Sequence, residues 1–227
     1  MSAKTCIVLG ASGLIGGNLI NLLKETSSYS KVLTFGRKKI FELNSNEKYE
    51  EHIVDFSKSE TYSEEFKADT VFCCLGTTLR QAGSRQAARY VDVELVIQLA
   101  KIAKSNDVKQ FLVISSLGAD AKSSNFYLKN KGDLEQSLIS LNFSQLYILR
   151  PSLLLGDRKE TRLGEKVGEF ALKIFDFALM GSWEKYKGIQ AIDVAQAMIN
   201  ISNSEPKKTI FESNEVQHWS KLTNSKS

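Results

Sequence analysis

The feature that most constrains this chain is a corner near its start, where the apolar run T-C-I-V-L of residues 5–9 meets G-A-S-G-L-I-G-G at residues 10–17. A run without polar alternation fits a strand buried on both faces, and the residues at 14–24, with Ile15, Leu19, Leu22 and Leu23 on one side, repeat at helical spacing. A buried strand that turns at once into a helix belongs to a parallel sheet, because parallel neighbours need a crossover and the helix supplies it. Gly10, Gly13 and Gly16 stand three apart in this corner. Glycines so placed permit a tight turn, let backbone N–H groups approach an anion, and let the helix pack closely on the strand. The helix N-terminus adds unpaired donors and the positive end of its dipole, so the corner suits a pyrophosphate. Ser12, inside it, either adds a hydroxyl to the phosphates or caps the helix.

The same alternation continues. Strands are predicted at 31–35, 52–54, 70–74, 110–115 and 145–149, with helices at 85–105, where Leu95, Leu99, Ile102 and Ala103 repeat, and at 125–141. The fold class is therefore α/β, a doubly wound parallel sheet, and 227 residues with 42% hydrophobic content suit a single domain over 1–227. Pro151 stops the sixth strand. Beyond it the pattern loosens into a helix at 166–180, a turn at Gly181-Ser182, a helix at 192–201 and a strand at 209–211. Residues from about 152 to 227 are expected to form a small cap on the carboxyl edge of the sheet, where open α/β folds place their ligands.

Composition excludes several classes. Thirty basic residues against 26 acidic leave a net charge of +4, with no cluster beyond Arg37-Lys38-Lys39, so neither nucleic acid nor a membrane surface is an expected partner. Cys6, Cys73 and Cys74 are odd in number and two are adjacent, which fits a reducing compartment better than a disulfide framework. No apolar run reaches membrane length, and the first strand begins almost at Met1, so a cytoplasmic location is expected.

The second strand decides between dinucleotides. An acid at its end would bind the adenosine ribose and repel a 2′-phosphate; here K-V-L-T-F runs into Gly36-Arg37-Lys38-Lys39, with no acid before Glu42. A guanidinium clamps a phosphate and a lysine adds charge, so NADP(H) is expected over NAD(H).

Chemistry is expected at Tyr127 and Lys131. Four apart on the helix, they share a stripe with Leu134, Leu138 and Leu141, which turns Lys131 toward the sheet. A buried ammonium is costly without a use, and reduction of a carbonyl provides one. A tyrosine titrates near 10 when undisturbed; an adjacent ammonium favours its ionised form and brings it closer to neutrality as an acid-base group. Ser116 would orient the carbonyl oxygen, with Ser115 as the open alternative, since two serines at a strand end point to opposite faces. Asp92 reads equally as an exposed helix residue or as a support behind the site, Cys73 and Cys74 as small hydrophobes of the fourth strand, and His52 and His218 offer no metal-ligand pattern.

The constellation resembles the atypical short-chain dehydrogenase/reductases, most closely their Tat-interactive-protein branch with its fungal relatives. The likeness is carried by V-L-G-A-S-G-L-I-G-G, G-R-K at 36–38, C-L-G-T-T at 74–78, A-G at 82–83, V-D at 91–92, I-S-S-L-G-A-D at 114–120, Y-L-K-N-K-G-D-L-E at 127–135 and L-R-P-S-L-L-L-G-D-R at 149–158, and more loosely by I-D-V-A-Q-A-M from 192. It implies a Rossmann fold with bound NADPH. By resemblance, Gly10, Ser12, Gly13, Leu14, Ile15 and Gly16 would hold the pyrophosphate, Arg37 and Lys38 the 2′-phosphate, and Leu75, Gly76 and Thr77 the adenosine and ribose. Lys131 would also reach the nicotinamide ribose, and Arg150 and Pro151 would approach the nicotinamide. The corner follows the G-x-x-G-x-x-G spacing of atypical members, and the interval from Ser116 to Tyr127 is short for the family. Fungal relatives in this branch imply a mitochondrial alternative for location.

Three functions follow. One is an NADPH-dependent reductase of a small carbonyl-like substrate with Tyr127, Lys131 and Ser116 as its working set. Another is an NADP(H)-binding regulator acting through a protein partner. The third, sugar-nucleotide epimerisation, calls for a larger substrate region than the chain has after Pro151. Residues 159–188, with Phe170, Ile174, Phe175, Phe177 and Trp183, either line an apolar pocket or present a partner surface.

Overall fold

The computed structural model describes residues 4–40, 47–156 and 186–222. Strands and helices succeed one another along the chain, with the second, third and fourth strands following without an α-helix between them among the described residues. β1 (Lys4–Leu9) leads through the glycine corner into α1 (Leu14–Glu25), then β2 (Tyr29–Gly36), β3 (Tyr49–Ile53) and β4 (Thr70–Cys73). A short helix, α2 (Leu79–Ala82), precedes α3 (Arg85–Arg89), a π-helical turn at Tyr90–Glu94 and α4 (Leu95–Ser105). β5 (Gln110–Ile114), α5 (Phe126–Ser140) and β6 (Gln145–Arg150) follow. After them come β7 (Leu154–Leu155), β8 (Ile189–Gln190), α6 (Ala191–Ser204), β9 (Ile210–Glu212) and α7 (Ser213–Ser220).

Seven strands form one sheet in the order β3-β2-β1-β4-β5-β6-β9, and each neighbouring pair is parallel. The order reverses between β1 and β4, so the crevice above their carboxyl ends is the switch point at which this topology binds ligands. The fully apolar strands are explained by cover on both faces. On one face Cys6, Val8, Phe72, Leu112 and Tyr147 pack under Leu19 and Leu23 of α1 and Val194 and Met198 of α6. On the other, Ile7, Leu9, Val71, Val113 and Ile148 pack under Leu95 and Leu99 of α4 and Leu134 and Leu138 of α5.

Several expectations are corrected. The single helix expected at 85–105 is broken by the π-helical turn, which inserts a residue into the repeat at Asp92. β3 begins at Tyr49 rather than 52: as an edge strand reading Y-E-E-H-I it keeps polar side chains, and hydrophobic periodicity finds only its end. The fourth strand stops at Cys73, leaving Cys74 half-buried just past it. The described residues beyond Pro151 join the main fold: β9 is the seventh strand of the sheet, and α6 packs on α1 in its helical layer. The helix at 166–180, the turn at Gly181-Ser182 and the apolar residues Phe170, Ile174, Phe175, Phe177 and Trp183 lie outside the described residues.

Candidate functional site

The corner at the end of β1 is built from backbone alone. Gly10 takes φ +74, where a side chain is strained, and a Cβ there would stand 2.7 Å from the Cys74 carbonyl oxygen, so β1 and the end of β4 meet without a spacer. The Gly13 N–H donates to the Gly10 carbonyl at 2.9 Å and closes the turn. A Cβ on Gly16 would lie 2.2 Å from that same carbonyl oxygen, so the first turn of α1 sits hard against the corner. Gly13 caps α1, and no side chain bonds to the cap. Among the described residues no side chain caps the first N–H groups of the helix, and Ser12, exposed beside them, is not that cap. Leu14 packs near Gly156 (3.3 Å from a Cβ built there), which brings the loop after β7 over the helix start, while Ile15 turns into the core.

Across the switch point, Leu75, Gly76 and Thr77 follow β4. The Thr77 N–H donates to Asp92 Oδ1 at 2.8 Å, and Gly76 leaves ordinary contact space before the same oxygen. Asp92 is therefore neither exposed nor idle: it is 3% exposed, it anchors the loop, and burial raises its carboxyl above the usual value while Lys131 and the Thr77 N–H pull the other way. It could have been found in the sequence as a carboxylate three residues before Leu95 on the buried stripe of the helix.

Lys131 and Tyr127 come together as expected. Asn125 caps α5, its Oδ1 accepting from the N–H groups of Tyr127 (2.9 Å) and Leu128 (3.2 Å). One turn on, Lys131 is 4% exposed, and its Nζ donates to the Ile114 carbonyl at 3.2 Å and lies 6.0 Å from the Tyr127 ring centre. The Tyr127 side chain itself is 45% exposed, free to meet a ligand.

The two serines separate. Ser115 is buried and its hydroxyl meets Glu135 Oε1; Ser116 is half-buried, its hydroxyl reaching only the carbonyl of its neighbour Leu117 at 3.3 Å. Arg150 is engaged within the fold: its guanidinium forks onto Glu135 (Nε to Oε1 3.0 Å, Nη2 to Oε2 2.6 Å) and its remaining arm reaches Glu212 at 2.9 Å. Pro151 is buried at the strand end, its carbonyl accepting from the Leu117 N–H at 3.0 Å. Arg37 and Lys38 are exposed just past β2, where the Ile40 N–H is tied to Glu51 at 2.7 Å. Burial pushes the Cys73 thiol up to about 11 and that of Cys74 well above its ordinary value, which keeps both protonated and unreactive.

Known proteins resemble the chain along most of its length. The family model for HIM1 matches residues 23–175. A rat protein, HTATIP2, is 36% identical over 225 residues, covering 97% of this chain and 91% of that protein. The mitochondrial protein FMP52 of Candida albicans is 32% identical over 208 residues, covering 86% of each. Among solved structures, UDP-glucuronic acid 4-epimerase from Bacillus cereus, in complex with NAD, superposes with a TM-score of 0.67 at 17% identity, over 91% of this chain and 76% of that one. At that identity the superposition shows the Rossmann fold alone. The matched span and the two relatives place the chain: it belongs to the HIM1 family, with HTATIP2 and FMP52 among its relatives.

Proposed function

We propose that the protein is an NADPH-dependent oxidoreductase that reduces a small carbonyl-like substrate, with Tyr127, Lys131 and Ser116 as its working residues. The observation that carries this reading is the buried Lys131, fixed on the Ile114 carbonyl within 6.0 Å of the Tyr127 ring, across the switch point from an uncapped helix start. The corner fits a dinucleotide, since its glycines keep side chains off the helix N-terminus and, among the described residues, no side-chain cap takes the donors there. Gly10, Ser12, Gly13, Leu14, Ile15 and Gly16 would hold the pyrophosphate; Leu75, Gly76 and Thr77, anchored by Asp92, would border the adenosine and ribose. Arg37 and Lys38 would take the 2′-phosphate. The NAD held by the Bacillus cereus epimerase supports a nicotinamide dinucleotide; the exposed basic pair after β2 favours the phosphorylated form.

A bound nicotinamide dinucleotide supplies hydride. The chain's own residues do the rest. Tyr127 donates its hydroxyl proton to the carbonyl oxygen as charge develops there, Lys131 stabilises the phenolate left behind, and Ser116 orients the oxygen. The fungal relative's name supports a mitochondrial location over the cytoplasmic expectation.

The test follows NADPH consumption over a panel of aldehydes and ketones. Tyr127→Phe keeps the ring and removes the proton, and should cut turnover by about 10²- to 10⁴-fold with NADPH affinity unchanged. Turnover indifferent to that change ends the mechanism. NADPH binding with no carbonyl reduced by the wild type would point instead to the regulatory reading.

A further inference from the structure

Behind the site lies a cluster of charges that the proposed chemistry does not use. Glu135 is 4% exposed and receives the fork of Arg150, which also pairs with Glu212, so two carboxylates share one guanidinium. Burying charges in this way is a poor route to stability alone, since apolar side chains of similar volume often do as well. At one end Glu212 caps α7; at the other, beside the site, Glu135 holds one hydroxyl, that of Ser115.

We propose that Glu135, itself fixed by Arg150, is a positioning residue: by gripping Ser115 it sets the register between Ser116 and Tyr127. This rests on the carbonyl-reductase reading of the site. Helix α5 meets the end of β5 and the segment after it at four points. Lys131 holds the Ile114 carbonyl at 3.2 Å, and Glu135, one turn further along the same face, holds the Ser115 hydroxyl. The Asp120 N–H donates to the Leu128 carbonyl at 3.1 Å, and a Cβ on Gly132 would be 2.0 Å from the Ala121 nitrogen, so the helix rests directly on that backbone. Two side chains thus fix 114 and 115, and backbone contact fixes 120 and 121.

Ser116 lies between those anchors, and among the described residues its hydroxyl meets the adjacent carbonyl alone. Successive residues at a strand end face opposite ways, so holding Ser115 inward turns Ser116 toward the cleft. Tyr127 is one turn before Lys131 on the gripping helix, which makes its distance from Ser116 a consequence of where the helix grips. The short stretch between the two residues therefore needs no slack, because its ends are set from outside it.

The experiment compares Ser115→Ala, Glu135→Gln, their double variant, and Glu135→Leu with Arg150→Met, which replaces the buried pair by apolar volume and guards against simple misfolding. On the best carbonyl of the panel, Ser115→Ala should lower kcat by about tenfold, with KM and NADPH affinity within about threefold of wild type. The Ser115→Ala/Glu135→Gln double variant should be no worse than the poorer single variant, as expected for one shared interaction. The Glu135→Leu/Arg150→Met protein should unfold near the wild-type temperature and still show the lowered kcat. Wild-type kcat in Ser115→Ala, or losses that only track the unfolded fraction, would overturn the proposal. Hydrogen exchange of the unliganded chain gives an arm that needs no turnover: amides of 115–121 should exchange faster in Ser115→Ala while β1 and β4 do not change. If the wild type binds NADPH yet reduces no carbonyl, the reductase reading fails, and unchanged exchange at 115–121 would separately defeat the grip.

Discussion

The two ends of the crevice are held by different physics. At the corner after β1, position is fixed by distance of approach: Gly10 against the Cys74 carbonyl, Gly16 against Gly10, and no side chain at the cap of α1. At the start of α5, position is fixed largely by buried charge: Lys131 on a carbonyl, Asp92 on an N–H, Glu135 on a serine and an arginine. A contact-built end has no titrating part and no slack, so one added methyl group breaks it. A charge-built end can be weakened by degrees, which suits the part of a site where protons move.

The largest effect should come from testing the first half of that contrast. In Gly16→Ala the new Cβ meets backbone at 2.2 Å and cannot be relieved by a rotamer, so urea unfolding should show a loss of about 3 kcal/mol or more. Gly17→Ala is the control one residue away: its Cβ would be 3.6 Å from the Ala11 carbonyl oxygen, an ordinary contact, and the helix should gain up to about 1 kcal/mol. Equal behaviour of the two would mean that the corner is not contact-built.

Arg37→Asp should have a middle-sized effect and sharpens the contrast by adding charge to the corner's side. The exposed guanidinium contributes to no fold contact in the described residues, so stability should hold while the preference for NADPH over NADH falls about 10- to 100-fold, more steeply at low salt. Titration of both dinucleotides at two ionic strengths checks it, and an unchanged ratio would remove the NADP assignment.

These two ends were also unequally legible in the sequence. The corner could be read because its requirements are local: an apolar strand, glycines three apart and an amphipathic helix lie within twenty residues. Burial of Lys131 was legible from the stripe it shares with Leu134 and Leu138. The partners of those charges were not, because they depend on tertiary pairing. Glu135 meets Arg150 across fifteen residues and Arg150 meets Glu212 across sixty-two, and no periodicity encodes which carboxylate an arginine will find. The resemblance puts Arg150 near the nicotinamide, and the sequence leaves Ser115 and Ser116 as alternatives; nothing in it signals that Glu135 stands beside the first. Asp92 falls on the buried stripe three residues before Leu95, but the sequence does not say that its partner is the Thr77 N–H.

The smallest predicted effect tests whether the charge-built end is under electrostatic cost. Burial is the main influence on Asp92 and raises its carboxyl above 3.8; the attraction of Lys131 and the Thr77 N–H only offset part of that. For an acid raised on folding, the native state is favoured while the group is protonated, and that advantage is lost as pH rises through the raised native value. Asp92→Asn keeps an oxygen for the Thr77 N–H and never ionises. The variant should therefore melt slightly higher than the wild type at neutral pH, and the difference should shrink as pH falls and vanish below 3.8, where both states of the wild type are protonated. Melting curves of both proteins from neutral to acid pH read this directly. A variant that melts lower at neutral pH would mean that the attraction between Asp92 and Lys131 outweighs the burial cost, making the pair a net support of the fold and the charged end of the crevice as tightly held as the glycine corner.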